Sequence, residues 1–430
     1  MFDKKYSDLF QRIKFTLIVI LIYRFGSFVP IAGIDAIALE ELIHKNQAGI
    51  LGMFNVLSGG SLGRMSIFAL TLSPYITASI LLQLVSVAYK PLENLRKEGE
   101  AGRRKLNQIS RLLTVVFAIF QGYTVALWLL GVATSSGSVV VLPELLFKLT
   151  TVTTLVIGTV FLMWLGEQIN AKGLGNGSSV IIFVSIISGI PSGVISLFEL
   201  MRKGSISPFI GIIAILSIVT MIAIVVFFET AVRKVVIHYP QHRTRFGEQA
   251  QDSSFIPLKL NTSGVIPPIF AASVLLLPVT VTNLAQGRSA TVDWIAFHLG
   301  HGKPLYIVLY GLLIVSITFI FTAIVFNADE VSDGLKRNSA FVMGVRPGKK
   351  TAEYFDFVLS RITAIGALYL CGICVLPEIF INKYALSLSL SGTSIMIVVN
   401  VVMDTIGQIH AYTMNSKYAN VMHKQRIKRR

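Results

Sequence analysis

A chain of 430 residues that is 53% hydrophobic and only 14% charged has too few polar side chains to clothe a soluble globule of its size. About half of its length suits hydrocarbon, which leaves little for a separate soluble domain. The formal charge of +16 calls for anionic company, whether lipid headgroups, nucleic-acid phosphates or an acidic protein, without choosing among them.

Ten apolar runs follow one another, near residues 15–32, 67–88, 112–132, 149–169, 179–198, 208–228, 263–283, 304–326, 357–379 and 393–413. Each is long enough, at about 1.5 Å per helical residue, to cross roughly 30 Å of hydrocarbon. Lipid offers backbone amides no partner, and no alternating barrel strands are present, so the runs are expected to be helices. Lys and Arg sort to one side of these runs. Seven lie between Lys90 and Arg111, five between Arg233 and Lys259, six between Lys336 and Arg361 and six between Lys417 and Arg430, whereas the opposite loops hold eight. Positive loops stay cytoplasmic, which places both termini there and requires an even number of spans. The first run has the basic-then-apolar look of a signal sequence. Arg24 interrupts it and no small-residue cleavage site follows Phe25, so it is read as an uncleaved span.

Residues 47–68 are rich in Gly and Ser and lead into the second run from the non-cytoplasmic side. A short re-entrant segment shielded by protein is expected there. Three cytoplasmic loops, 89–111, 230–260 and 327–356, are long for connectors and are expected to present docking surfaces. Gly173–Gly177 resembles a phosphate loop but lacks a following Lys. It is expected to be a tight turn in which Ser178 or Ser179 caps the fifth span. An internal echo relates Leu72–Leu82 in the second run to Ile266–Leu276 in the seventh. The two are corresponding members if the chain is two inverted halves of five spans, each with a proline expected to break its helix. The chain then divides into residues 1–200, residues 201–413 and a basic tail, 414–430.

Catalytic groupings are missing from the sequence: there is no His-Glu-x-x-His, no Gly-x-Ser-x-Gly and no Walker lysine. Cys371 and Cys374 read as buried structural thiols, and His298 and His301 as surface residues. No catalytic residue, metal or cofactor is expected. Within the spans, Arg24 is the clear ionisable group and costs about 2.5–3.5 kcal/mol unless paired or snorkelled. Asp404 lies in the last span, with Glu167 and Glu229 near span ends. A small-molecule secondary transporter, the alternative that inverted repeats favour, would need midplane carboxylates that this chain lacks.

Five stretches carry a specific resemblance: Phe68–Ser79 (Phe-Ala-Leu-Thr-Leu-Ser-Pro-Tyr-Ile-Thr-Ala-Ser), Glu98–Lys105 (Glu-Gly-Glu-Ala-Gly-Arg-Arg-Lys), Met163–Ile169 (Met-Trp-Leu-Gly-Glu-Gln-Ile), Gly173–Gly177 (Gly-Leu-Gly-Asn-Gly) and Gly344–Gly348 (Gly-Val-Arg-Pro-Gly). In this order they resemble the SecY family, channel subunits of bacterial Sec protein translocases. The resemblance implies an all-α integral membrane fold of ten transmembrane helices in two inverted five-helix halves, with a short plug. It implies an hourglass channel for unfolded polypeptides bearing signal sequences, opening sideways to lipid between spans two and three and spans seven and eight. The aliphatic pore ring carries over to Leu72, Ile76, Ile182, Ile269 and Ile397, with Ile266 adjacent. The plug carries over to Leu57, Ser58, Gly59, Gly60 and Arg64, and the lateral gate to Thr77 and Leu81 facing Ala271 and Leu275. Contacts for the motor or the ribosome fall to Arg243, Arg245, Arg346, Pro347 and Gly348. The implied partners are SecE, SecG, the SecA ATPase, a translating ribosome, the signal-bearing polypeptide and membrane lipid, in the plasma membrane. Thr71 replaces a glycine frequent in the family, Pro267–Pro268 is doubled, and Asn400 is polar in an aliphatic stretch.

Overall fold

The computed structural model describes residues 2–35, 39, 58–131, 133–134, 137–138, 140–204, 207–238, 253–284, 294, 298–299, 303–384 and 391–428. Each of the ten apolar runs is helical over most of its length, the first only as far as Gly26. In chain order the helices are α1 (Phe2–Gly26), α2 (Ser73–Ala88), α3 (Lys90–Lys97), α4 (Glu100–Gly131), α5 (Glu144–Lys172) and α6 (Gly177–Arg202), then α7 (Pro208–Thr230), α8 (Ile266–Leu284), α9 (Pro304–Val325), α10 (Ala328–Arg337), α11 (Lys349–Tyr384) and α12 (Gly392–Lys428). By length and apolarity α4, α5, α6, α7, α9, α11 and α12 are spanning helices, and α2 with α3 makes a bent pair. α1 and α8 complete the ten.

Two helices begin later than hydropathy suggests. Residues 67–72 form turns, and the second helix starts only at Ser73. The prolines expected to break helices instead start them. Pro74 lies in the first turn of α2, and Pro267 and Pro268 in the first turn of α8. A first-turn amide has no intrahelical acceptor, so proline forfeits nothing there, and its fixed φ favours helix entry. The prolines inside helices are others, Pro191 in α6, Pro278 in α8 and Pro377 in α11.

Helix pairings repeat. In the first half α2 packs on α4, α4 on α5, α5 on α6, and α1 on α5 and α6. In the second, α8 packs on α9, α9 on α11, α11 on α12, and α7 on α11 and α12. Five is odd, so the second set enters the membrane from the opposite side, and the fold is all-α with ten helices in two inverted halves. Lipid gives helices no hydrophobic reason to associate, so close approach of small residues matters. α4 buries Gly102, Ser110, Thr114, Ala118, Gly122 and Ala126 along one stripe, with Gly122 against Val152 and Leu155 of α5.

The loops 230–260 and 327–356 combine into a sheet-and-helix unit that hydropathy did not reveal. β3 (Val232–His238) pairs antiparallel with β4 (Ser253–Lys259), Val232 opposite Lys259 and His238 opposite Ser253; β5 (Phe341–Val342) adds to the other edge of β3. Two two-residue strands, β1 (Ala133–Thr134) and β2 (Gly137–Ser138), form a separate ladder. Val235, Ile237 and Leu258 bury one face of the larger sheet against Leu335 of α10 and Phe355 and Leu359 of α11. Pro257 sits in β4, an edge strand, where its missing donor costs no ladder bond.

Candidate functional site

Leu72, the residue before α2, is 1% exposed, and Ile397 of α12 is 2% exposed. They belong to one aliphatic cluster against which Ile76 of α2, Ile182 of α6 and Ile269 of α8 also pack. Five of the six expected ring residues thus come together from four helices, two in each half. Ile266, the sixth, is half-buried at the start of α8 and is not among them. Val265 and Val401, which sequence reading passed over, are. Asn400 lies one turn from Ile397, its amide nitrogen 3.9 Å from where a Cβ on Gly264 would stand.

The entry to α8 is set by hydrogen bonds just before its first turn. Asn261 donates to Glu229 at 2.6 Å and to the Gly264 carbonyl at 3.2 Å, while Ser263 donates back to Asn261. Glu229 is engaged there, and Glu167 pairs with Arg111 at 2.8 Å.

Residues 58–72 approach the cluster as a string of turns. Ile31 N–H donates to the Met65 carbonyl and Ile67 N–H to the Val29 carbonyl, tying the segment to the chain after α1. Gly59 takes φ +63°, and a Cβ there would lie 2.5 Å from the Ser185 carbonyl oxygen of α6. The Ser188 hydroxyl donates to the Gly59 carbonyl at 3.4 Å. Arg64 folds back on the segment, donating to that same carbonyl at 3.2 Å, and its guanidinium stacks 4.4 Å over Phe28. Arg24 stacks on Phe28 as well, at 5.1 Å, a cation–π contact that offsets part of its expected insertion cost, while its Nη1 is buried without a hydrogen-bond partner among the described residues. Ser58 is buried at 3% exposure, and Leu57 lies outside the described residues. Sequence reading missed Phe28, Ser185 and Ser188, and with them Tyr23 of α1, whose hydroxyl hydrogen-bonds that of Ser185. The signal available was Ser185 and Ser188, polar residues on one face of an apolar helix.

α2 touches α8 and α9 along one edge between the halves, while α6 packs on α7 and α12 at the other. Of the expected gate residues, Thr77 and Leu81 are half-buried on α2. Ala271 and Leu275 are buried in the C-terminal core with Tyr306, Tyr310 and Leu370, leaving Ile269, Ser273 and Val274 on the half-buried face of α8.

The Gly173–Gly177 turn precedes α6 as expected, but its cap is not a serine. Gly177 N–H donates to the Asn170 side chain at 2.7 Å, and Ser178 bonds Asn176 instead. Asn170, one turn from the end of α5, reaches the first amide of α6 before either serine can. Leu174 N–H donates to Thr16 of α1 and Gly175 N–H to Gln408 of α12.

On the unit built around β3, β4 and β5, Arg346 and Pro347 are exposed at the tip of a turn whose glycines, Gly344 and Gly348, take φ +80° and +101°. Thr351 donates to the Arg346 carbonyl at 3.0 Å and Ser332 to the Gly348 carbonyl at 2.7 Å, so the turn is held from both α10 and α11. Arg243 and Arg245 lie outside the described residues. So does His301, while His298 stacks on Trp294. Cys371 and Cys374 are free thiols, half-buried and buried. Among the described residues no three metal-ligating side chains converge.

A family model, SecY, matches residues 66–406. The protein translocase subunit SecY of Rickettsia bellii (strain RML369-C) is 57% identical over 428 residues, 99% of each chain. That of Escherichia coli (strain K12) is 41% identical over 425 residues, 98% of this chain and 96% of its own. Among solved structures, a protein conducting channel aligns with a TM-score of 0.69 at 14% identity, covering 94% of this chain and 93% of its own. Sec61 in the canine ribosome-channel complex from the endoplasmic reticulum aligns with a TM-score of 0.64 at 14% identity, with the same coverage. The chain belongs to the SecY family.

Proposed function

We propose that this chain is a protein-conducting channel whose constriction is the cluster of Leu72, Ile76, Ile182, Ile269 and Ile397, and that the edge where α2 meets α8 and α9 opens to release apolar segments into lipid. The observation that carries the reading is the aliphatic cluster itself, drawn from corresponding helices of both halves. Branched aliphatics yield to a passing chain of any sequence, yet leave a constriction too apolar for hydrated ions. Nothing in such transport needs a catalytic group. Residues 58–64 act as the plug, seated on α6.

The halves divide near residue 200, between α6 and α7, with 414–430 as a basic tail. SecE and SecG are partner subunits. SecA or a ribosome supplies the push, docking on the unit that displays Arg346, Pro347 and Gly348 and, in the same loop system, Arg243 and Arg245. A transporter reading gains nothing from the carboxylates that the sequence singled out: Glu229 and Glu167 are engaged near span ends and Asp404 of α12 is exposed. The chain works in the plasma membrane with both termini cytoplasmic. Single cysteines at 48 and 290 are then labelled from outside, and those at 100 and 345 from the cytoplasm.

The experiment is reconstitution with SecE, SecG and SecA in vesicles. An unfolded precursor with a signal sequence should become protected from protease in an ATP-dependent way. Protection independent of the channel chain, or uptake of small solutes without precursor movement, would overturn the reading.

A further inference from the structure

The motif Glu98–Lys105 has a structural task that the pore does not account for. α3 follows α2 after a 104° bend, and Pro91 in its first turn fixes where it starts. Two glycines then lock it on α4. Gly99 takes φ +73°, which lets the chain reverse without a Cβ penalty. Gly102 lies so close to the Leu95 carbonyl that any Cβ there would overlap it. Glu98 N–H closes the end of α3 on the Asn94 and Leu95 carbonyls. Held against α4 in this way, α3 has little freedom to roll, and Arg96, the residue after Leu95, has a set direction.

Its Nη2 donates to the backbone carbonyl of Ile324, 3.0 Å away in the last turn of α9. The last four carbonyls of a helix lack intrahelical partners and carry the negative end of its dipole. A guanidinium on one of them is therefore a helix C-cap, here supplied to the C-terminal half by the N-terminal half. The bond lies at the end of the edge where α2 meets α8 and α9.

We propose that the Arg96–Ile324 contact is a clasp that sets how apolar a signal segment must be to part that edge. The inference rests on the channel reading above. A segment leaving sideways must separate α3 from α9, and the free energy for this comes from moving its apolar side chains into lipid. A strongly apolar segment has this in surplus, while a weakly apolar one does not. Arg96 is thus a positioning and specificity residue, touching neither the pore ring nor the plug. Because the clasp is exposed to water, its worth is modest, and its loss should shift the threshold and not abolish it.

The test uses the reconstituted complex with two precursors that differ only in the signal, one strongly apolar and one with two of its leucines replaced by serine, with rates normalised to channel content. In Arg96→Gln, transport of the weak-signal precursor should rise by about three- to ten-fold while the strong-signal rate stays at the parent level. Arg96→Lys, which keeps a cation able to cap the helix, should stay near the parent, as should Arg103→Gln, which removes an exposed charge from the first turn of α4. Arg96→Gln leaving both rates unchanged, raising both equally or lowering both overturns the clasp; lowering both would make Arg96 a motor contact. A parent that fails to move even the strong-signal precursor strikes at the channel reading, and the clasp falls with it.

Discussion

Thr71 holds φ +50° one residue before Leu72, a conformation that costs a β-branched side chain roughly 1–2 kcal/mol and glycine almost nothing. Thr71→Gly should therefore stabilise the protein by about 1 kcal/mol, after allowing for the extra chain entropy that glycine loses on folding. The readout is the midpoint of thermal unfolding in detergent, expected to rise. A fall would show that the threonine side chain itself holds the turn. Arg346 is a different kind of residue, exposed on a turn that its neighbours make rigid. Its guanidinium can meet a carboxylate two bonds at a time, which an ammonium cannot. Lys350, close by, is already paired with Glu353 at 2.9 Å. SecA-driven transport should thus fall at least ten-fold in Arg346→Glu and measurably in Arg346→Lys, with little change in Lys350→Gln; equal tolerance at the two positions would reduce Arg346 to one more positive-inside charge. Residue placement was legible in the sequence where it depends on side-chain type, as with the aliphatic residues that meet in one cluster and the exposed basic turn. It was not where the choice depends on distance, as with the cap of α6, which Asn170 supplies from the preceding helix in place of Ser178 or Ser179.

Elements were legible to the extent that one local pattern determines them. The apolar runs located ten helices because hydrocarbon admits few alternatives. The same runs misplaced the start of α2, since residues 67–72 are apolar enough to read as helix while Phe68–Thr71 and Leu70–Ser73 close as turns. The sheet of β3, β4 and β5 escaped because its strands come from two loops far apart in sequence, and β5 is too short to show alternation. That residues 58–72 form turns in place of a helix was legible in part from their glycines, but where they sit was not, since that requires knowing that Gly59 meets Ser185 and Ser188 of α6. The seat makes a sharp prediction. Gly59→Val puts a branched side chain at φ +63° and into the Ser185 carbonyl, so the segment should lift off α6. Resting ion conductance of the reconstituted channel should rise several-fold while SecA-driven transport persists, matching deletion of residues 58–64. Unchanged conductance in both variants would show that this segment does not help to close the resting channel.

At the scale of the whole molecule, the inverted arrangement follows from an echo of eleven residues and an odd number of spans, and the repeated helix pairings give it physical content. Corresponding helices α2 and α8 each begin at a proline-containing first turn, and each brings an aliphatic residue to the same cluster, Ile76 from one and Ile269 from the other. What the sequence could not supply is how the halves meet, because no periodicity within a helix encodes a contact with a helix two hundred residues away. The cluster makes that meeting testable. A dry constriction resists ions because water held among aliphatic side chains finds no partners, so one hydroxyl should matter little and several should matter a great deal. Ile182→Ser alone should leave resting conductance near the parent. Ile76→Ser, Ile182→Ser and Ile269→Ser together should raise it by at least ten-fold, with Leu72 and Ile397, the two most deeply buried members, left in place to hold the fold. Replacing the same three with valine keeps the surface apolar and should leave conductance low, which separates wetting from looser packing. A valine set that leaks as much as the serine set would mean that side-chain volume closes the pore, and a serine set that stays tight would place the barrier elsewhere in the molecule.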